Sequence, residues 1–491
     1  MSEFMNKMGD LNNLLLNTDC YKHSHYIQYP PGTEYISSYI EARGGPFPAV
    51  VHMGLQAFIM EYLMKPITLA DIDEAELVCE WHKIPFYREG WMGVLNEYDG
   101  YLPVEIEAVP EGTAIPVRNV MVQLVNTDPK YYWVTSFIET ALLRGVWYPS
   151  TICTLSWMCK QIIRQALVES ADDPEALVRA LLHDYGARGV SSQMSAAVGG
   201  MAHLVNFHQT DTMAGSVAAM RYYGMPATGV SSPSAEHSTI TAWGKDHEAD
   251  AYRNLVEAYD GWPYIVVVSD SYDLENAIKN IWGKELKSLV ENAKSPIFVR
   301  PDSGYPPTVV ADSIEWLMES FGHNVNTKGY KVLPPCLRIC QGDGININSL
   351  KDIYKEMHKR KLSSENVAFG MGGGLLQQVN RDSMHFAMKA NAAKVNGEWR
   401  AVNKKPSDSG LKESKPGRLA LIKENGEYKT VARDSVSESE NLLETVFRNG
   451  KLLKRQSFKE IIARSELETP KSYWESIMSD EFDADFTSNA Y

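Results

Sequence analysis

Cysteine is sparse. Six residues (Cys20, Cys79, Cys153, Cys159, Cys336 and Cys340) are scattered over a chain of 491, with no CxxC pair and no histidine at zinc-site spacing. That argues against a disulfide scaffold or a structural zinc centre and reads as thiols in a reducing cytosol. Long apolar runs are lacking too. Stretches such as residues 13–16 are far too short to span a bilayer or form a signal-peptide core. Excess positive charge is also missing: 48 Lys and Arg against 62 Asp and Glu leave a net charge of −14. General nucleic-acid binding and attraction to anionic membrane surfaces are therefore disfavoured. A polyanionic small substrate stays possible, because one cleft can be basic on an acidic protein. No repeat of solenoid type, about 20–50 residues long, is found.

What is present is a β–α register that recurs between Val266 and Gly374. Residues 265–268 run into Ser269 and Asp270. Residues 297–299 run into Arg300, Pro301 and Asp302, residues 337–340 into Gln341, Gly342 and Asp343, and residues 367–369 into a glycine-rich turn. Short β-branched runs bounded by Gly and Pro read as buried parallel strands. Their spacing of roughly 30 to 40 residues leaves room for one crossover helix each. Polar groups at the C-terminal ends of such strands are where α/β barrels build active sites, so an enzyme is expected.

Elsewhere the signals are mixed. Residues 68–83 read as a helix capped by Thr68. Residues 101–109 alternate like a strand and turn at 110–112. Residues 132–147 and 149–180 look helical and lead to residues 181–186, where the barrel-like register begins. After Arg381 the pattern changes. Residues 403–417, with Lys404, Lys405, Lys412 and Lys415, read as a mobile basic loop, and the acidic residues 480–485 as a solvated end.

Several constellations can carry chemistry. Gly372, Gly373 and Gly374 precede a possible helix start, where backbone N–H groups can cradle phosphate oxygens, although such a run is often only a turn. Gly342 and Gly344 flank Asp343, whose carboxylate can accept from ribose hydroxyls. Arg300 and Asp302 offer either a phosphate site beside a sugar or metal-water site, or a local ion pair closing a turn. His237 can be a base, a nucleophile, a phosphate partner or simply structural, and Asp270 or Asp273 can orient it. Tyr185 and Arg188 suit a flat heterocycle stacked beside an anion, or a packed tyrosine with a surface arginine. Asp211 closes a short apolar run and needs a donor partner, for which a primary amide N–H is a candidate.

Taken in order, these segments resemble the nicotinamide phosphoribosyltransferase family over nearly the whole chain. The likeness includes Thr18-Asp19-Cys20-Tyr21-Lys22, Arg188-Gly189-Val190-Ser191-Ser192-Gln193, Ala235-Glu236-His237-Ser238-Thr239, Ser269-Asp270-Ser271-Tyr272-Asp273 and Gly372-Gly373-Gly374-Leu375-Leu376-Gln377. The resemblance implies a type II phosphoribosyltransferase fold: an irregular parallel α/β barrel (residues 151–382) and a mixed α+β domain made from residues 1–150 and 383–491. It also implies a cytoplasmic homodimer with shared active sites. Substrates would be nicotinamide and phosphoribosyl pyrophosphate, with ATP as co-substrate and Mg²⁺ as cofactor. No nucleic acid or membrane partner is expected.

Site roles follow from the same likeness. The pyridine ring would stack between Tyr185 and the second subunit's equivalent of Tyr21, in the Asp19–Tyr21 segment. The family usually has phenylalanine where Tyr185 stands and an aromatic where Ala187 stands. Asp211 would accept from the carboxamide, Ser269 and Arg300 would serve its oxygen and nearby phosphate, and Asp302 and Asp343 the ribose. Gly342, Gly373, Gly374 and Arg381 would hold the 5′-phosphate. Arg188, His237, Arg300, Arg43 and Lys389 would hold pyrophosphate. Asp302 and Asp273 are candidate Mg²⁺ contacts, directly or through water. His237 would be phosphorylated by ATP, with Asp273 supporting its imidazole. Other readings are a nicotinate-using relative, an interaction protein without turnover, and an unrelated sugar-phosphate barrel enzyme.

Overall fold

The β-branched runs form the parallel strands that their composition predicts. In the computed structural model, which describes residues 12–403 and 414–467, Ile265–Val268, Ile297–Arg300, Leu337–Gln341 and Val367–Met371 pair in parallel with one another. Leu182–Asp184 and Gln209–Thr210 extend the sheet beyond Val367–Met371, giving six strands. Helices Pro306–Phe321 and Ile347–Lys359 are the crossovers on either side of Leu337–Gln341. The first has proline in its opening turn, and the second is closed by an Asn346–Ser349 capping box. Residues 230–234 bridge both edges of the sheet, Val230 to Gln209 and Ser234 to Val266. The parallel sheet is therefore curled.

This sheet belongs to one of two units, comprising Ile152–Met220 and Pro226–Gln378 among the described residues. The other unit runs through Thr151, takes in Arg221–Met225 and resumes at Val379. Its centre is a seven-stranded antiparallel sheet joining segments from both parts of the chain. Thr33–Ala42 pairs with Phe386–Val395, setting Tyr39 opposite Lys389, and Val104–Ala108 pairs with Glu444–Arg448. The helix expected at residues 68–83 is Leu69–His82, with Thr68 and Asp71 in a reciprocal capping box. The two helical stretches expected on either side of Tyr148 differ from the reading. One helix, Glu139–Ser170, runs through Pro149, because its neighbours there are buried and packing outweighs the lost hydrogen bond.

No disulfide joins the six cysteines. Among the described residues no helix is long and apolar enough to cross a membrane. Residues 404–413 of the basic loop and the acidic residues 480–485 lie outside the described residues. Lys415 is described, and instead of moving freely it pairs with the buried carboxylate of Glu41.

Candidate active site

The turn after Leu182–Asp184 presents an aromatic ring. Asp184 is fully buried, and its Oδ1 accepts the Gly186 N–H at 2.7 Å, which bends the chain immediately after the strand. Burial pushes the Asp184 carboxyl up to about 6, against the opposing bonds from Gly186 and Thr212. Tyr185 between them lies against two glycines. A Cβ on Gly370 would stand 1.9 Å from its ring, and one on Gly342 3.2 Å. Its hydroxyl meets Cys340 Sγ at 3.6 Å, so the hydroxyl that distinguishes it from phenylalanine has a partner inside the sheet. The Arg300 guanidinium carbon is 5.7 Å from the ring centroid, within cation–π range.

Arg300 ends its strand in a bidentate pair with Asp302, Nε to Oδ1 at 2.8 Å and Nη2 to Oδ2 at 2.9 Å. Burial alone would lower the Arg300 pKa, but Asp302 raises it further, so the cation is secure. The sequence left open whether the two meet a ligand or each other. Here they meet each other, in a fork that a diphosphate could enter by taking one partner.

Asp211 follows strand Gln209–Thr210. Its Oδ1 takes two bonds, from His183 Nε2 at 2.9 Å and from Ser231 Oγ at 2.5 Å. Burial works to raise its pKa. The His183 bond and charge, Ser231 and Arg300 outweigh that and hold it below the usual carboxylate range. Neither His183 nor Ser231 was singled out from the sequence. One signal was available: His183 and Tyr185 are two apart at a strand end and so lean to one face. Their rings are 4.9 Å apart.

His237 opens the short helix His237–Thr241, and its Nε2 is 3.0 Å from Asp270 Oδ1. The other Asp270 oxygen accepts from Ser303, on the loop that carries Asp302. The imidazole is about half exposed while Asp270 is buried (48% and 5%), which suits an anchored but accessible nucleophile. Asp273, expected to support the imidazole, does not. Its Oδ1 caps helix Leu274–Asn276 by accepting from Asn276 N at 2.9 Å, a local bond that uses the side chain where it stands. Ser269, expected near a carboxamide, is fully buried. Its hydroxyl donates to Val267 O and accepts from the Trp282 indole.

The glycine run makes a single helical turn, Gly373–Leu376, capped by Gly372. It is tied to the Arg188 loop through Ser191 N to Gln377 Oε1 at 3.2 Å, and Gly189 would touch Gly373 if it carried a Cβ. Asp343 and Arg188 are exposed. The remaining expected residues lie in the other unit. There Arg43, Lys22 and Arg381 all act electrostatically on Lys389, whose pKa is lowered first by burial and then by these cations, against Glu139. Asp19 accepts from Thr140 at 2.6 Å, and Tyr21 beside it is 55% exposed. The structure thus forms two groups, one on each unit.

Among the described residues no three His, Cys, Asp or Glu side chains form a group able to hold a metal ion. Both oxygens of Asp302 face Arg300, and one oxygen of Asp273 is a helix cap. This donor set does not fit a closed protein cage. It fits a hydrated Mg²⁺ carried by a diphosphate and met through a single carboxylate.

Comparison with known proteins follows the same lines. A sequence model of the nicotinate phosphoribosyltransferase family matches residues 180–451, and one of the N-terminal domain of nicotinamide phosphoribosyltransferase matches residues 13–106. A nicotinamide phosphoribosyltransferase of Xanthomonas campestris pv. campestris (strain 8004) is 46% identical over 466 residues, covering 94% of this chain and 99% of its own length. One of Acinetobacter baylyi is 29% identical over 484 residues, covering 91% and 95%. In fold the chain resembles nicotinate-nucleotide pyrophosphorylase from Pyrococcus furiosus (TM-score 0.61, 16% identity, covering 95% of this chain and 98% of that one). It also resembles human nicotinic acid phosphoribosyltransferase (TM-score 0.54, 16% identity, covering 93% and 95%).

Proposed function

The chain belongs to the nicotinamide phosphoribosyltransferase family, and on that premise we propose that it joins nicotinamide to the phosphoribosyl group of phosphoribosyl pyrophosphate. The products are nicotinamide mononucleotide and pyrophosphate, for NAD salvage. One observation carries the reading: an anionic acceptor, Asp211, in the same strand-end array as the Tyr185 ring and the Arg300–Asp302 fork. Asp211 suits an uncharged amide, and a nicotinate carboxylate would meet it as a like charge, at a cost of several kcal/mol.

In the reaction the anomeric carbon loses its bond to pyrophosphate oxygen and gains one to the ring nitrogen. That nitrogen has a free lone pair and no proton to lose, so no general base is required. Catalysis rests on positioning and on neutralising the charge that builds on the leaving group. Arg188 and Arg300 serve pyrophosphate, Asp302 and Asp343 the ribose hydroxyls, and Gly342, Gly373 and Gly374 the 5′-phosphate. A second copy of the chain supplies Asp19, Tyr21, Arg43, Arg381 and Lys389. The cation group around Lys389 and the exposed Tyr21 ring support that role. Asp302 or Asp273 would meet Mg²⁺ through its water shell when it arrives with the donor, and the ion would add charge neutralisation. The irregular barrel implied by the family is supported by the bridges that residues 230–234 make to both sheet edges.

ATP drives a phosphohistidine cycle at His237. With Asp270 on Nε2, the free lone pair is on Nδ1. Nδ1 attacks the γ-phosphorus, ADP leaves, and Asp270 stabilises the positive ring; water later releases phosphate. Incubation with γ-labelled ATP labels the wild type and leaves His237→Ala unlabelled, with weak ATP-independent synthesis retained. A labelled His237→Ala protein rejects the assignment.

The test of the overall reading is mononucleotide formation from either ring, with and without ATP. Wild type prefers nicotinamide, and Asp211→Ser loses at least about ten-fold of that preference, as expected when a charged acceptor is removed. Unchanged discrimination removes Asp211 from this role. Wild-type synthesis from nicotinate alone would favour the nicotinate-using alternative.

A further inference from the structure

We propose that His183 and Ser231 set the ring selectivity of the site by jointly holding Oδ1 of Asp211, leaving Oδ2 as the acceptor presented to the ring substituent. The inference rests on the function proposed above and adds two positioning residues that act through Asp211.

Two donors share one oxygen, and among the described residues no hydrogen bond reaches the other. His183 Nε2 and Ser231 Oγ both lie on Oδ1, at 2.9 and 2.5 Å. They come from separate segments, strand Leu182–Asp184 and the 230–234 segment that bridges the sheet edges. The Asp211 backbone is held as well, its N–H donating to Asp184 O at 3.0 Å. A carboxylate otherwise turns broadly about its last torsion. Two directional donors on one oxygen fix its plane. The Asp211 side chain remains 44% exposed while His183 is buried and Ser231 is exposed, so the acceptor is accessible and the histidine half of its clamp is shielded.

The same two donors preserve the charge. Burial alone favours the neutral acid, and the bonds from His183 and Ser231 reverse that tendency. The distinction matters chemically. An anionic Asp211 accepts from an amide N–H₂ and repels a carboxylate. A protonated one could donate to a carboxylate and welcome the acid ring. His183 also packs its ring against Tyr185, so one side chain braces both contacts proposed for the substrate ring.

The measurement is the ratio of kcat/KM for nicotinamide to kcat/KM for nicotinate. His183→Leu lowers this ratio about ten-fold or more, the effect of losing one hydrogen bond to a charged group, and Ser231→Ala lowers it in the same direction. His183→Gln, which can place an amide N–H near the lost Nε2, keeps the ratio within about three-fold of wild type even if both rates fall. Damage to the fold lowers both rates together and leaves the ratio where it was. An unchanged ratio in His183→Leu therefore overturns the proposal, as does His183→Gln falling as far as His183→Leu. If thermal melting finds His183→Leu unfolded, Ser231→Ala decides on the same criterion. A wild type without preference for nicotinamide fails the parent reading. A wild type with that preference and variants that keep it fails only this one.

Discussion

Arg300→Met lowers turnover by about 10²- to 10³-fold, the usual effect of removing one preorganised group from developing negative charge. Arg300 forks onto Asp302 and lies over the Tyr185 ring, so one guanidinium joins the carboxylate proposed for the ribose hydroxyls to the stacking platform, where the diphosphate is proposed to sit. Methionine keeps much of the stem and its packing while removing the charge and every donor. Arg300→Lys does little better, because a point charge cannot reproduce a bidentate fork. Steady-state rates at saturating donor measure the loss. Rates within about ten-fold of wild type in a folded Arg300→Met protein would take Arg300 out of the charge-neutralising role. A fall confined to the KM for the pyridine ring would instead reassign it to ring stacking.

Gly370→Ala raises the KM for nicotinamide by about 10²-fold, with a much smaller change for the donor. The added methyl would sit 1.9 and 2.1 Å from two atoms of the Tyr185 ring. The ring cannot slide away freely, since its hydroxyl is on Cys340 and its face is under Arg300. Overpacking of this kind also destabilises the fold, by about 1–3 kcal/mol. Misplacing a stacking platform by about 1 Å is enough to cost on the order of 10²-fold. Removing the ring in a Gly370→Ala/Tyr185→Ala double variant relieves the clash, so the double variant is less destabilised than the sum of the two single changes, and affinity is not restored. If Gly370→Ala binds the ring normally, Tyr185 is not its platform.

How much of the site was legible depends on how local each interaction is. Thr68 announced its helix because a capping box is a relation between residues three apart. The parallel strands were legible because fully buried strands need continuous β-branched runs. Asp270 and Asp273 were not separable in this way. Both stand just beyond one strand, and only the fold shows that one oxygen of Asp273 caps its own helix while Asp270 reaches a histidine 33 residues away. The partners of Ser269 were illegible for a related reason. Adjacent residues at a strand end face opposite ways, and this one faces the Trp282 indole.

By itself the sequence determined the buried parallel strands between residues 265 and 371, the helix after Thr68, the family resemblance and the residue types gathered at the strand ends, since all of these are written in composition, period and short-range spacing. Tertiary structure alone decided the pairings: His183 and Ser231 on Asp211, Asp270 on His237, Cys340 on Tyr185, and Lys415 on Glu41. The physical reason is range. A cap or a strand propensity acts within a few residues, whereas a buried carboxylate takes whichever donor the folded backbone brings within about 3 Å, however distant in the chain.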